Sequence, residues 1–351
     1  MAGPGSGGDR GARRRRVRAR VLLAAAALLV LIGGAVGWLA LTRPPATGPA
    51  APVTASAGPT VRPSPTAAPS LADLGPGPMN VLLLGSDIRG SARDALARQA
   101  AAGGAADQRA DMMMLLHVQA DHRRVFGISI MRDTWVTVPG HGESKVNASL
   151  ALGGPQLAAA TVSSILSVRI DHWALLDFDG FKAITDALGG VDVDVPVAFT
   201  ATFDTHHAFT RGINHLNGQA ALEFVRERHA FADGDYQRVR DQQAFVRSVI
   251  AQLLAQGRVG NPAGALALIG LVGPHLVTDP GLGAEGLTVL AYGLRHADPS
   301  SDVFFTLPTS GTGTSADGQS IVIADRPGIA AVAAALGSDS LGQYAALHGL
   351  S

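Results

Sequence analysis

Residues 79–89, MNVLLLGSDIR, join an apolar run to a glycine and then to a carboxylate and a guanidinium. The run at residues 80–84 is short, largely apolar and closed by Gly85, which predicts a buried strand. Asp87 and Arg89 follow that strand directly, and open α/β sheets bind ligands beyond the carboxyl ends of their strands. An Asx turn beside a solvated arginine would use the same residues. This segment alone therefore leaves a ligand site and an ordinary turn equally open.

Beyond this segment, short β-type runs alternate with runs of helical periodicity, which is the pattern of a layered α/β domain. The pattern continues to the C-terminus without an internal repeat, so residues 79–351 are predicted to form one folded domain. Strands are expected at residues 80–84, 113–118, 125–130, 173–177, 191–195 and 303–307. Helices are expected at residues 155–166, 181–188, 218–225, 236–255, 283–294 and 328–336.

The first 78 residues differ in composition from the rest. Seven arginines lie within residues 1–20, an uncharged run fills residues 21–41, and ten of the chain's 20 prolines fall within residues 42–78. At about 1.5 Å per residue, a helix of the uncharged run could cross a hydrocarbon core of roughly 30 Å. Because arginine-rich flanks stay in the cytoplasm, these segments predict a cytoplasmic tail, a single transmembrane helix and an extracytoplasmic linker. A cleaved signal peptide is the alternative, although its apolar region is normally shorter.

Charge and cysteine content exclude several classes of function. From residue 79 onward the chain has 19 basic and 26 acidic residues, a formal charge of −7. A general nucleic-acid-binding surface needs a basic domain, so nucleic acid is not an expected partner. The chain has no cysteine. This excludes a disulfide framework, a thiolate zinc site and a cysteine nucleophile.

A second Arg/Asp pair stands at the entrance of a second strand. Arg109 and Asp111 flank Ala110 directly before the apolar run at residues 112–116. Together with Asp87 they could form one site. Carboxylate oxygens suit Mg²⁺, which usually retains waters and takes further ligands from substrate phosphates.

Further cations follow later strands and helices. Arg132 comes after the strand at residues 125–130, and an arginine there can bind phosphate oxygens through two N–H groups. An internal ion pair with Asp133 or another acid is the alternative for Arg132. Arg238 and Gln242 are four residues apart on a predicted helix, so they share one face and can contact one ligand.

Arg226 and Arg228 lie two residues apart at the end of the helix predicted at residues 218–225. They cannot share a helix face, so the chain is expected to leave the helix there. Charges at helix ends are usually solvated, but several arginines recur at the ends of successive elements. The recurrence favours an anion site.

Several segments, in order, resemble the signature motifs of the LytR-CpsA-Psr family. The agreement spans roughly residues 79–254, and the motifs keep both their order and their chemistry. The matching segments are Gly85-Ser86-Asp87-Ile88-Arg89, Arg109-Ala110-Asp111-Met112-Met113, Ser129-Ile130-Met131-Arg132-Asp133, Lys145-Val146-Asn147-Ala148, Asp186-Ala187-Leu188-Gly189-Gly190-Val191, Leu216-Asn217-Gly218 and Val225-Arg226-Glu227-Arg228.

The resemblance implies a mixed central β-sheet flanked by helices, with a long apolar pocket for a polyprenyl chain and arginines at its mouth. It implies a phosphotransferase that moves a glycopolymer from a polyprenyl-pyrophosphate carrier to peptidoglycan, outside the cell membrane. By position, Asp87 and Asp111 resemble the family's Mg²⁺-associated acids. The catalytic candidates are Asp87, Arg109 and Arg132, and the substrate-binding candidates are Arg89, Lys145, Arg226, Arg228, Arg238 and Gln242.

Two alternatives remain open at this point. A polyprenyl-pyrophosphate hydrolase would use the same phosphate-binding residues with water as the acceptor. A non-enzymatic membrane-bound lipid-binding regulator is the other alternative. Its cytoplasmic tail of about twenty residues is too short to form a DNA-binding domain, because a small domain needs roughly 40 residues to bury a core. The sequence also departs from the family at Asp241, where many members have an arginine.

Overall fold

A computed structural model describes residues 77–87, 91–102 and 108–350. The predicted tail at residues 1–20 and transmembrane helix at 21–41 lie outside the described residues, as do residues 42–76 of the predicted linker. Six strands form a central sheet in the order β11-β6-β1-β2-β3-β12. They are β1 (Met79–Ser86), β2 (Ala110–Val118), β3 (Val125–Ser129), β6 (His172–Leu176), β11 (Val277–Thr278) and β12 (Val303–Thr306).

The helices follow the prediction closely where it made one. Six were expected, and each has a counterpart; α1, α6 and α9 were not foreseen. The helices are α1 (Ala92–Ala102), α2 (Ala148–Leu166), α3 (Phe178–Ala187), α4 (Gly218–Arg226), α5 (Asp235–Ala255), α6 (Pro262–Val272), α7 (Ala284–Gly293), α8 (Arg326–Gly337) and α9 (Leu341–His348).

The sheet is mixed and is covered by helices on both faces. β1 pairs antiparallel with β2 and parallel with β6. Leu82 and Leu84 pack into a core with residues of α2 and α8, whereas Val81 and Leu83 pack on the opposite face, where α7 contributes. The alternation follows from the two-residue period of a strand. The predicted mixed central sheet flanked by helices is therefore confirmed.

Four two-stranded antiparallel sheets accompany the central sheet in the described residues, and only one of their strands, β7, was predicted. They pair β4 (Trp135–Val138) with β5 (Gly142–Lys145), β7 (Val191–Val195) with β10 (Gly212–Leu216), β8 (Phe199–Thr200) with β9 (Ala208–Phe209), and β13 (Thr309–Thr314) with β14 (Ser320–Ala324).

Two motif segments have structural functions. Asn217 begins α4 by accepting a hydrogen bond from the Ala220 amide at 2.9 Å. A Cβ at Gly218 would lie 2.4 Å from the Lys182 carbonyl oxygen, so only glycine allows α4 to pack this closely on α3. Gly189 and Gly190, with φ of +85° and +86°, form the turn from α3 to β7.

Within the described residues, α2 is the one helix long and apolar enough to span a membrane. It bends at Gly153 and Gly154, whose φ/ψ angles are not helical, directly before Pro155. Its Leu150 and Val162 are fully buried against the central sheet. Packing in the core therefore accounts for its apolar composition.

Asp241 is buried inside α5. Gln237 donates to its Oδ1 at 2.8 Å, and its Oδ2 has no hydrogen-bond partner among the described residues. Burial raises the pKa of the Asp241 carboxyl to about 7. Arg240 offsets this rise only in part, because its side chain is half-exposed and donates to Asp233 and Gln237.

The raised pKa of Asp241 predicts that the free energy of unfolding depends on pH. Its pKa in the folded chain lies above the unfolded value of about 3.9, so the folded state holds the proton more tightly. The stability from this site is complete below pH 4 and is lost as the pH rises through about 7. We expect Asp241→Asn to stabilise the full chain at pH 8 by up to about 3 kcal/mol relative to its effect at pH 5, since about two pKa units of the shift lie above pH 5. Thermal melts at both pH values measure this, and an equal effect at both would contradict it.

Candidate active site

The ends of β1 and β2 bring Asp87, Arg109 and Asp111 together. The Asp87 amide donates to the Arg109 carbonyl at 3.3 Å, and the Arg109 amide donates to Asp87 Oδ1 at 2.9 Å. The register shifts between Gly85, opposite Met112, and Ser86, opposite Ala110, so Asp111 is the extra residue of a bulge. Strand pairing therefore places Asp87, Arg109 and Asp111 next to one another. Arg89 lies outside the described residues.

Arg132 is the centre of a group of charged side chains, here called the ionic cluster. It comprises Asp111, Arg132, Asp133, Lys145, Asp235 and Arg238. Arg132 Nη1 donates to Asp111 Oδ1 at 2.6 Å, and its Nε lies 3.6 Å from Asp133 Oδ2 and 3.7 Å from Asp235 Oδ1. Lys145 Nζ lies 3.0 Å from Asp133 Oδ1, and Arg238 Nη2 lies 2.6 Å from Asp235 Oδ1. The internal ion pair considered for Arg132 thus exists, with Asp111 as the nearest acid.

The two arginines of the cluster respond differently to burial. Burial by itself would lower the pKa of Arg132, but Asp111, Asp235 and Asp133 raise it overall. For Arg238, whose side chain is 5% exposed, burial prevails and lowers the pKa, with Asp235 opposing the change.

Both arginines keep an unused donor. In the described part of the chain, the buried Nε groups of Arg132 and Arg238 have no hydrogen-bond partner. A buried N–H group without an acceptor costs free energy, and such groups are rare in folded proteins. An anion that reaches the cluster would therefore gain two hydrogen bonds that the protein alone leaves unmade.

An apolar cavity of about 400 Å³ runs between the sheet and helices α3, α5, α6 and α7. Its wall is made mostly of leucine, isoleucine, valine and phenylalanine side chains. Among the few polar lining residues are Asp111, Arg226 and Gln242. The cavity therefore meets the ionic cluster at Asp111, and an elongated apolar ligand with an anionic head would fit both.

Arg226 is held between two aromatic rings. Its Cζ lies 4.4 Å from the centroid of Phe178 and 4.8 Å from that of Phe203, and its Nη1 donates to Asp204 at 3.3 Å. The helix ends at Arg226, and Glu227 is extended with ψ of 135°. The chain therefore leaves the helix between Arg226 and Arg228, as their spacing predicted.

Glu227 organises the loop that carries Arg228. Its carboxylate accepts the amides of Thr202, Arg228, His229 and Ala230. Burial alone would raise the pKa of Glu227, but these amides lower it overall. Arg228 donates from Nε to His229 at 3.2 Å.

Gln242 lies on the α5 face that also carries Arg238. Both side chains are buried, and Gln242 donates to the Val225 carbonyl at 3.2 Å while lining the cavity. The shared face inferred from their spacing is thus turned inward.

Asp235, Phe178 and Phe203 are residues of this site that were not predicted from the sequence. Asp235 could have been found, because it lies three residues before Arg238 at the start of a helix. The two phenylalanines carry no comparable signal, since each is distant from Arg226 in sequence.

This chain is similar in sequence to two named cell-wall proteins. A teichoic acid transferase of Bacillus mycoides, "Polyisoprenyl-teichoic acid--peptidoglycan teichoic acid transferase TagU", is 36% identical over 174 residues, 49% of this chain and 52% of that protein. "Cell wall biosynthesis protein LcpA" of Corynebacterium glutamicum is 28% identical over 283 residues, 71% of this chain and 54% of that protein. The chain thus spans about half the length of these relatives.

The fold is similar to that of TagV of B. subtilis, with a TM-score of 0.62, 23% identity, and coverage of 75% of this chain and 97% of that one. The family model LytR_cpsA_psr matches residues 57–337. The chain therefore belongs to the LytR-CpsA-Psr family.

Proposed function

We propose that this protein transfers a glycopolymer from a polyprenyl-pyrophosphate carrier to peptidoglycan. The observation that carries the proposal is the junction of an apolar cavity with the ionic cluster, through Asp111. A polyprenyl pyrophosphate has the same two parts, an apolar chain and an anionic head. The named activity of the TagU relative supplies the reaction class and the acceptor.

Charge balance determines how the pyrophosphate would be bound. The ionic cluster has three cations and three carboxylates, so it is formally neutral. Additional positive charge would come from Arg109, Arg226 and Arg228, which are outside the cluster. The unused Nε donors of Arg132 and Arg238 would supply hydrogen bonds to phosphate oxygens.

A Mg²⁺ ion would add positive charge beside the formally neutral ionic cluster, and Asp87 and Asp111 are the residues that would hold it. Both are hard oxygen donors at paired strand ends. No group of three or more His, Cys, Asp and Glu side chains suited to a metal occurs among the described residues. The remaining ligands would therefore be substrate phosphates and water, which is common for Mg²⁺. When bound, Mg²⁺ would offset phosphate charge as the bridging bond breaks.

The reaction is a displacement at phosphorus. A wall-sugar hydroxyl attacks the phosphorus that carries the glycopolymer, the bond to the polyprenyl phosphate breaks, and the hydroxyl loses its proton. Positioning and neutralisation of charge supply most of the catalysis in such reactions. Asp87 is a candidate proton acceptor, and Asp235, whose buried Oδ2 has no hydrogen-bond partner within the described residues, is a second.

We also propose that the catalytic domain works outside the cell membrane, held by the apolar run at residues 21–41. The arginines before this run place its N-terminal side in the cytoplasm. A reporter active only outside the membrane, fused after Ser351, should be active, and a cytoplasm-only reporter there should be silent. Activity of the cytoplasmic reporter would reject this topology.

The reaction is tested with the full chain in lipid vesicles that contain a polyprenyl-pyrophosphate glycan. With peptidoglycan present, the glycan should become covalently attached to it, and polyprenyl phosphate should be released in equal amount. Equal release with and without peptidoglycan, with no attached glycan, would identify a hydrolase instead.

Arg238 and Arg240 provide a matched pair on one helix, two residues apart. Arg238→Ala removes a buried donor and should weaken turnover by about 1.5–3 kcal/mol, roughly ten- to 150-fold, the range for hydrogen bonds to charged groups. Arg240→Ala removes a half-exposed arginine bound to Asp233 and Gln237 and should change turnover little. Melting curves must show that both variants fold. Equal losses of turnover in both variants would show that removing any positive charge from this helix has the same effect, and would contradict a specific function of Arg238.

The metal proposal predicts non-additive effects. If Asp87 and Asp111 hold one ion, either Asp→Asn change should remove most of the Mg²⁺ dependence of transfer, and the second should add little. Arg132→Gln serves as a control, because it also breaks the Asp111 ion pair but leaves both carboxylates in place. Additive losses for the two aspartates would indicate independent functions.

A further inference from the structure

Helix α6 is apolar on all sides, although one side faces solvent. Residues 259–274 contain no charged side chain. Leu266 is 59% exposed and Leu271 is 38% exposed. They belong to a continuous exposed face, here called the outer face of α6, which consists of Ala263, Leu266, Ala267, Gly270, Leu271 and Pro274.

The opposite side of α6 forms part of the cavity wall. Leu268, Ile269 and Val272 line the cavity, and neither Leu266 nor Leu271 does. A helix that is apolar all round is normally buried in a protein core or in lipid. The cavity accounts for one side of α6, and the outer face has no such explanation within the described residues.

We propose that the outer face of α6 lies in the interfacial region of the membrane that holds the polyprenyl donor. The inference rests on the proposed function, because the isoprenoid chain must pass from a bilayer into the cavity. With 11 residues, α6 is too short to span a membrane but suits an interfacial position. The donor would then move from lipid into the cavity past a single helix, without exposing its chain to water.

Charge and chain length agree with a bilayer as the partner. Arg258 precedes α6, and Arg93 donates from Nη2 to the carbonyl of Leu276, just after α6, at 3.2 Å. Cations at the rim of an apolar surface favour anionic lipid head groups. The linker predicted at residues 42–78 extends to at most about 130 Å, so it allows the domain to reach the membrane without forcing contact.

The absence of cysteine from the chain makes a direct test possible. A nitroxide is attached to the full-length protein in vesicles at Leu266→Cys, at Leu271→Cys and, as a matched control, at Leu347→Cys in α9, where the native leucine is 83% exposed. At the two α6 positions, collisions with oxygen should be favoured and those with a water-soluble nickel chelate reduced several-fold. The control should show the reverse.

Three outcomes separate the possibilities. Equal nickel accessibility at all three sites would reject the proposal. Protection at α6 accompanied by spin–spin broadening that grows with protein density would identify a second copy of the chain as the partner and would also reject it. Lipid accessibility confined to α6 would support it, and this readout does not require any enzymatic activity.

A kinetic experiment tests whether the outer face of α6 contributes to transfer from a donor in the membrane. The Leu266→Asp/Leu271→Asp double variant should lower kcat/KM about tenfold for a donor embedded in vesicles. It should leave kcat/KM unchanged for a short-chain, water-soluble donor, because neither side chain lines the cavity. Equal losses with both donors would reject a membrane role. If the wild-type chain transfers neither donor, the proposed function fails while the nitroxide result still decides the location of α6.

Discussion

Strand β1 is the element on which the rest of the structure depends. It makes main-chain hydrogen bonds to a strand on each side and buries its side chains against helical layers on both faces. A strand in that position cannot carry a charge along its length, because a buried unpaired charge is very costly. Its first carboxylate, Asp87, therefore comes where the strand ends. The chemistry of the molecule is concentrated there for the same reason.

The antiparallel partner strand brings its own charges to the same place. β2 begins where β1 ends, so Arg109 and Asp111 meet Asp87 without any contribution from helices. The bulge between Gly85 and Ser86 gives Asp111 its extra position, and from there it both pairs with Arg132 and lines the cavity.

The features that could be predicted from the sequence are those set by residues close together in the chain. The strand predicted at residues 80–84 is Met79–Ser86, and the helix predicted at 236–255 is Asp235–Ala255. The shared face of Arg238 and Gln242 also followed from spacing alone, and it is present. In each case the pattern of side chains repeats with the short period of a strand or a helix, so a few neighbouring residues are enough to predict it.

The unforeseen features depend on contacts distant in sequence or on weak local signals. Helix α1 lies in a glycine- and alanine-rich stretch for which no element was predicted. The short hairpins, such as β4 with β5, have too few residues to show a period. Asp235 has a local partner in Arg238, but its contact with Arg132 joins residues about a hundred positions apart. The two rings near Arg226 come from α3 and from a loop.

The balance within the ionic cluster has a thermodynamic consequence. Charges taken out of water are expensive, and their mutual attraction offsets that cost only when the geometry is good. Here the pairs at 2.6 Å involve Asp111 with Arg132 and Asp235 with Arg238, while the Nε donors remain unmatched. The cluster is therefore held in place by its own ion pairs and still has capacity for an anion. A site that is ordered before the substrate arrives loses less free energy in binding it.

The aromatic rings around Arg226 also help to order a charged side chain before the substrate binds, through cation–π contacts in place of ion pairs. The Cζ of Arg226 lies 4.4 Å from the ring centroid of Phe178 and 4.8 Å from that of Phe203, within cation–π distance. Hydrogen bonds to a guanidinium are made by N–H groups in its plane. Asp204 accepts from one of these groups, Nη1, at 3.3 Å. The two rings and Asp204 thus hold the Arg226 side chain at the cavity wall, and its other N–H groups would be available to the phosphate oxygens of the proposed substrate.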